Sequence, residues 1–204
     1  MLTSNTDLMR AEIARHIEAD AVRGGHYWNG RTGCFIGCLA HSSDATELGR
    51  RYGLPLPLVR ICEDIFKRLP QAERPVFFRE VGEAVGGDGR DLTRVHWLFL
   101  ADTLRHLPDT AARDVVAQVI DGMEKLARGE DWIEAEAWAH EADAAGAAAD
   151  AAWAAARAAW AAADAARAAD AAWAAAWVAA RAAWEADAET QRQRAAMLRI
   201  IKEA

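Results

Sequence analysis

The stretch AAADAAWAAARAAWAAADAARAADAAWAAAWVAARAAW, residues 147–184, is almost a homopolymer of alanine, interrupted at three- and four-residue steps. The interruptions are mainly Trp, Asp and Arg, and their spacing fits an α-helix, in which successive residues are rotated by about 100°. From Asp150 to Arg167 they fall within roughly a third of the helix circumference. The pattern therefore predicts a helix with one face of Trp, Asp and Arg and an opposite face of Ala.

Two interpretations fit this polar and aromatic face. We favour a seam between helices, in which large indoles fill the space beside helices that Ala brings close together. The alternative is a slot for a flat anionic ligand such as a nucleotide, because Trp stacks on bases and Arg binds phosphate. The ligand-binding candidates are Trp153, Arg157, Trp160, Arg167, Trp173, Trp177 and Arg181, together with Tyr27 and Trp28 of the loop HYWNGR.

Helix signals recur along the whole chain, and no segment shows the sustained alternation of a strand. Pro75 suits the first turn of a helix and Gly86 its end, and the first helix is expected over about residues 7–23. Six or seven short helices are expected before Gly129. We therefore predict an all-α fold, with a compact helical front domain over residues 1–129 and a long Ala-rich helical tail over residues 130–204. A single rod over residues 131–201 would approach ~105 Å, so the tail must fold back, cover the front domain or pair with another chain.

Charge restricts the partners. From Gly129 onward, 7 basic residues stand against 13 acidic ones, and binding through phosphate contacts needs clustered Lys and Arg; no nucleic-acid partner is expected. Charged residues within the Ala-rich segment also exclude a membrane span. The first ten residues lack a secretion signal and the three cysteines make an odd number, so a cytoplasmic protein with reduced thiols is expected.

A second group of residues has the chemistry of a metal site. On a helix, Cys34, Cys38 and His41 would share one face. Three or four such ligands can hold zinc, and the candidate set is His26, Cys34, Cys38 and His41. We favour packing instead, because buried free Cys behaves as a small hydrophobe. Gly33 and Gly37 would let another helix approach closely.

The segment CEDIFKRLP, residues 62–70, contains the adjacent acids Glu63 and Asp64. Neighbouring residues on a helix point about 100° apart, so the two do not form a carboxylate pair by themselves. We expect a solvated, charged helix face here. The alternative is that one of the acids is buried against Arg or Tyr of the loop HYWNGR.

Two stretches resemble known groups of proteins. HYWNGRTGCFIGCLAHS followed by LGRRYGLPLPLVRICEDIFKRLP resembles uncharacterised bacterial and phage-associated proteins with a GCxxGCxxH segment, over about residues 24–107. Leu54 and Lys67 depart from that pattern, which has Ile and an acidic residue there. Residues 127–184 are similar to the Ala, Trp and Arg repeats of immunity proteins. The resemblances imply a small protein of mobile or defence-associated DNA that acts by binding.

No nucleotide-loop, metalloprotease or nucleophile-elbow motif is present, so no catalytic residue is assigned. We predict a non-enzymatic protein that neutralises a partner, either by sequestering a nucleotide-like signalling molecule or by inhibiting a protein. The alternatives are a nucleotide-handling or metal-dependent enzyme of the front domain, and a self-assembling helical protein. No cofactor is predicted apart from the zinc alternative. Close packing of the Ala face favours a homo-oligomer.

Overall fold

The computed structural model describes residues 1–106, 113–132 and 187–204. These residues form helices and loops, with three isolated bridging pairs and no sheet. The helices are α1 Thr6–Glu18, α2 Phe35–Ala40, α3 Thr46–Tyr52, α4 Leu56–Arg68, α5 Arg74–Val85, α6 Val95–Arg105, α7 Arg113–Arg128 and α8 Asp187–Glu203. The predicted all-α fold is confirmed for the described residues. The predicted arrangements of the Ala-rich segment lie outside them.

The described chain falls into two compact units. One contains residues 1–95 together with 190–204, and the other contains the described residues between 96 and 189. This grouping places the C-terminal residues with the N-terminal ones. The sequence-based division between residues 129 and 130 stays a prediction.

An aromatic cluster lies at the centre of the first unit. The rings of Phe35, Phe66 and Phe78 meet edge to face, with centroids 5.3 to 6.5 Å apart, as aromatic quadrupoles favour. All three side chains are fully buried. Since they come from α2, α4 and α5, this cluster fixes the short helix α2 against two longer ones.

Two arginines of the first unit donate hydrogen bonds to carbonyl groups at the ends of helices. The carbonyls of a helix's last turn have no N–H partner within the helix. Arg90 donates to the carbonyls of Ala84 and Val85 at the end of α5, and to those of Ile201 and Lys202 at the end of α8. Arg74 does the same at the end of α4. The C-terminal helix is thereby attached to the N-terminal part of the chain.

The first helix ends at Glu18, earlier than the expected residue 23. Asp20 takes a left-handed conformation with φ 50°, which stops the helix. Beyond it, the Gly33 amide donates to the Ala21 carbonyl at 3.0 Å, and the Arg23 amide donates to the Gly33 carbonyl at 2.8 Å. These two hydrogen bonds hold residues 21–23 beside the residues that precede α2. The helical pattern of the sequence did not indicate this contact.

In the second unit, α6 and α7 are joined by an ion pair between Arg105 and Glu124. Gly122 of α7 lies directly under the indole of Trp132, because a Cβ at that position would be 2.2 Å from the ring. No helix among the described residues is long and apolar enough to cross a membrane.

Candidate metal site

Two side chains of the site come from α1. Glu12 and His16 are four residues apart and therefore lie on the same face of the helix. Their Oε2 and Nε2 atoms are 3.7 Å apart. The His16 side chain is 7% exposed and that of Glu12 16%, while the Arg15 guanidinium pairs with the Glu12 carboxylate. The helix thus presents one imidazole nitrogen and one carboxylate at the same point.

The third side chain, His41, follows directly after α2. It has a left-handed backbone with φ 55° and ψ 30°, and its amide donates to the Gly37 carbonyl at 2.8 Å. This is a common way for a helix to end, although Gly or Asn more often occupies the position. The His41 Nε2 atom lies 3.0 Å from the Nε2 atom of His16.

Trp28 packs against both imidazoles. Its indole stacks on His41 with centroids 4.7 Å apart and planes at 28°. It meets His16 edge to face at 5.3 Å and 80°. The indole therefore restricts the orientation of both rings.

Glycines of α2 and of the preceding loop allow the indole to reach this position. A Cβ on Gly37 would lie 1.3 Å from the Tyr27 carbonyl oxygen, and one on Gly33 would lie 2.2 Å from the same atom. The close approach predicted for this pair of glycines is present. The segment that approaches these glycines is the loop backbone at Tyr27 and Trp28, and not another helix as expected.

The electrostatic surroundings favour a neutral His16. Burial lowers the pKa of His16 below its usual 6.5, and the neighbouring His41 and Arg15 lower it further, while Glu12 acts in the opposite direction. A neutral imidazole has a free lone pair on one ring nitrogen, which is the form that binds a metal.

The geometry of the three ligand atoms fits a metal ion. The Glu12 carboxylate, His16 and His41 offer ligand atoms that all lie within 4.8 Å of one another. Zinc binds His and carboxylate ligands at about 2.0–2.2 Å, which places tetrahedral ligands about 3.3 Å apart. The separations of 3.0 and 3.7 Å lie on either side of that value. Two imidazoles and one carboxylate form a donor set that zinc uses with a fourth position open.

The structure places His41 with Glu12 and His16, and does not gather it with the rest of the predicted set. In the described part of the chain, those three form the single group of three or more ligand-type side chains with metal-site spacing. His26 is exposed and its Nε2 atom lies 2.9 Å from Thr32 Oγ1. Zinc binding by the four predicted residues stays a prediction.

Cys34 and Cys38 are buried, free thiols. Burial raises the pKa of each to about 12, with Glu63 contributing. The Cys38 thiol donates to the Gly33 carbonyl at 3.2 Å. Protonated, buried thiols agree with the packing interpretation of this segment.

The expectation of a solvated acidic face on α4 was wrong. Glu63 and Asp64 are 3% and 8% exposed. The Glu63 carboxylate accepts a hydrogen bond from the Ile36 amide at 2.9 Å and lies 3.1 Å from the Lys67 ammonium. It thus accepts a hydrogen bond from an amide in the first turn of α2, which has no partner within that helix. The sequence of α4 alone does not indicate this hydrogen bond.

Trp28 and Tyr27 are the ligand-binding candidates that the structure describes. Trp28 packs against His16 and His41 of the candidate metal site. Tyr27 lies beside Lys67, whose ammonium is 5.3 Å from the ring centroid. The candidates between Trp153 and Arg181 lie outside the described residues. Sequence reasoning missed Glu12 and His16, although the Glu-x-x-x-His spacing in EIARH was the available signal.

Comparisons of the chain with protein-family models, with curated proteins and with solved structures found no match.

Proposed function

We propose that the protein binds a divalent transition metal, zinc in the first place, through Glu12, His16 and His41. The observation that carries the proposal is the meeting of two imidazole Nε2 atoms, 3.0 Å apart, beside a carboxylate oxygen 3.7 Å from one of them. Imidazole suits zinc, copper, iron and nickel, whereas magnesium and calcium prefer sites made of oxygen ligands. The donor set therefore selects a transition metal.

For the broader role, we keep the prediction made from the sequence, which is a binding protein without a catalytic motif. Neutralisation of a defence-related partner and assembly into a homo-oligomer remain proposals on the same sequence grounds. The metal site supports the binding class, because it adds a ligand site whose three donors come from two separate helical segments.

A metal-dependent hydrolase is the second candidate. The observation in its favour is that three protein ligands leave one tetrahedral position for water, and that His41 is exposed. Zinc lowers the pKa of a bound water to about 7, which creates a nucleophile. Turnover of an activated ester by the zinc form, lost in a His41→Asn variant, would favour this candidate over simple binding.

The proposal is tested by titrating zinc into chelator-treated, full-length protein in a calorimeter. One equivalent is expected to bind. His41→Asn is the most suitable variant, because Asn tolerates a left-handed backbone and His41 is exposed. Loss of an outer-shell partner alone costs 10- to 100-fold in metal affinity, so loss of this ligand is expected to cost about 100-fold or more.

Two controls keep the test specific. His106→Ala removes an exposed histidine whose ring contacts the Asp102 carbonyl, and zinc affinity is expected to stay unchanged. Cys34→Ala combined with Cys38→Ala is also expected to bind zinc like the original protein. Unchanged affinity in His41→Asn, or lost affinity in the cysteine variant, would overturn the proposal.

A further inference from the structure

A cavity in the first unit shares no residue with the candidate metal site of Glu12, His16 and His41. Its volume is about 290 Å³. The buried thiol of Cys34 contributes to its wall, and the remaining lining residues are Gly24, Gly25, His26, Tyr27, Lys67 and Arg74. Two permanent cations therefore line a small cavity that has no acidic side chain in its wall.

The ammonium of Lys67 is held at this wall by a buried partner. Glu63, only 3% exposed, lies 3.1 Å from the Lys67 ammonium through one oxygen and accepts the Ile36 amide through the other. An ammonium has three N–H donors, and the salt bridge to Glu63 engages at most one of them. Since the Lys67 side chain is 46% exposed, its other donors are accessible to a ligand.

The charge of Arg74 is fixed in place before any ligand arrives. Its guanidinium donates to the carbonyls of Phe66 and Lys67 at 3.1 and 3.0 Å, and to the Gln71 side chain at 3.0 Å. A Cβ at Gly24 would lie 2.1 Å from the guanidinium, so a larger residue there would have to displace the Arg74 side chain. Binding therefore costs no ordering of this side chain, and its positive charge acts at short range.

Backbone groups beside the two cations add possible donors. Neither the Gly24 nor the Gly25 amide donates a hydrogen bond to any part of the chain that the structure describes. Gly25 has φ +96°, and nothing lies within 4 Å of the place where a Cβ would be. A glycine segment with unused amides next to Lys and Arg has the chemistry of a phosphate cradle.

We propose that this cavity binds the phosphate group of a small phosphomonoester, no larger than a mononucleotide. Lys67 contacts the phosphate oxygens, Arg74 supplies the second positive charge, and the Tyr27 ring forms a flat wall for the organic part. The volume of about 290 Å³ lies at the lower end for small-molecule pockets, which run from about 300 Å³ upward, so the cavity suits a ligand of mononucleotide size or smaller. The raised pKa of Cys34, about 12, keeps that thiol neutral and removes a source of repulsion.

The test is calorimetric titration of metal-free, full-length protein with inorganic phosphate, AMP and adenosine at low salt. Phosphate and AMP are expected to bind and adenosine is not. Tighter binding of AMP than of phosphate identifies a monoester as the ligand, whereas equal binding identifies phosphate itself as the recognised group. Both outcomes support the cavity as an oxyanion site. Failure of both phosphate and AMP to bind would overturn it.

Variants separate this site from the rest of the surface. Lys67→Met is expected to weaken AMP binding at least tenfold, which corresponds to one lost charged contact. Lys125→Met, which removes a lysine paired with Asp121 on α7, is the matched control and is expected to bind like the original. Because Lys67→Met leaves Glu63 buried without its partner, the double variant Glu63→Gln with Lys67→Met, checked by circular dichroism, repeats the measurement. Unchanged AMP affinity in the folded double variant would contradict the proposal.

The His41→Asn variant distinguishes this proposal from the metal site. It is expected to bind AMP unchanged, because His41 does not line the cavity. Loss of AMP binding in that variant would contradict the assignment of the phosphate group to this cavity.

Discussion

The Nε2 atoms of His16 and His41 lie 3.0 Å apart, although 25 residues separate the two histidines in the sequence. One belongs to the buried face of α1 and the other to the residue that ends α2. Each is oriented by the same indole, that of Trp28. The grouping of this pair with Glu12 is therefore a product of the fold.

Zinc is expected to stabilise the protein. A ligand that binds only the folded state at 100 times its Kd adds about 2.7 kcal/mol to the free energy of unfolding. Urea unfolding with buffered zinc should show this increase relative to chelator-treated protein. His41→Asn should show no more than about 0.4 kcal/mol, because a 100-fold weaker site is at most half-filled at the same zinc concentration. Magnesium at the same concentration is the control and should leave the unfolding curve unchanged. Equal stabilisation of the original and the variant would contradict the site.

Gly37→Ala is expected to destabilise the protein by about 3 kcal/mol or more, at the upper end of the usual cost of overpacking. The added Cβ would lie 1.3 Å from the Tyr27 carbonyl, which cannot move without shifting the loop that carries Trp28. Gly87→Ala is the matched control, because nothing lies within 4 Å of its Cβ position. Chemical unfolding of both variants provides the measurement. A near-neutral Gly37→Ala would contradict the described contact between loop and helix.

Arg194 attaches α8 to α5. Its guanidinium lies 2.7 Å from the Glu80 carboxylate and 3.1 Å from that of Glu73, while the arginine side chain is 15% exposed. Because both carboxylates are about a third exposed, solvent screens these pairs. Arg194→Ala is expected to cost about 1–2 kcal/mol in the free energy of unfolding.

Arg199→Ala serves as the control for this ion-pair network. Arg199 pairs with Glu203 on the surface of the same helix, and both side chains are more than half exposed. Its loss should cost no more than about 0.5 kcal/mol. Equal effects of the two arginine variants would show that Arg194 does not hold α8 in place.

Asp88 stabilises the start of α1 and makes the free energy of unfolding depend on pH in the acidic range. Its carboxylate accepts from the amide and the hydroxyl of Thr6 at 2.8 and 2.7 Å. These two hydrogen bonds lower the pKa of Asp88 below its usual 3.8, and Arg10 contributes weakly. The folded pKa lies below the unfolded one, so the contribution is fully present above about pH 3.8 and is lost as the pH falls through the folded value.

The measurement for Asp88 is urea unfolding of the original protein and of Asp88→Asn between pH 7 and pH 2.5. The original is expected to be more stable near neutral pH, and the difference should shrink at the acidic end. A difference that stays constant over this range would show that the Asp88 charge does not contribute. Asp121→Asn, on an exposed helix face, is a suitable control.

The helical class and several helix ends could be predicted because they depend on local signals. Pro75 lies in the first turn of α5 and Gly86 ends that helix with φ 71°, as their positions in the sequence indicated. Burial of Glu63 could not be predicted from the sequence of α4, because it depends on a hydrogen bond that the Glu63 carboxylate accepts from an amide of α2. Charged residues on a helix are ordinarily solvated, and only the tertiary structure reveals this exception.

The candidate metal site could likewise be predicted only in part from the sequence. The i,i+4 spacing of Glu12 and His16 could be read from the sequence, and His41 was among the predicted ligands. Their meeting depends on the early end of α1, the left-handed residue that ends α2 and the loop that lies against Gly37. None of these features has a periodic signature, so the zinc alternative grouped His41 with the cysteines nearest to it in the sequence and not with the distant α1.

The most direct test of the central claim is X-ray absorption at the zinc edge of protein loaded with one equivalent of zinc. The account predicts two imidazole ligands and one carboxylate oxygen at about 2.0–2.2 Å, with no sulfur ligand. A zinc–sulfur distance of about 2.3 Å, which would indicate Cys34 or Cys38 as a ligand, or a spectrum without imidazole scattering, would contradict it.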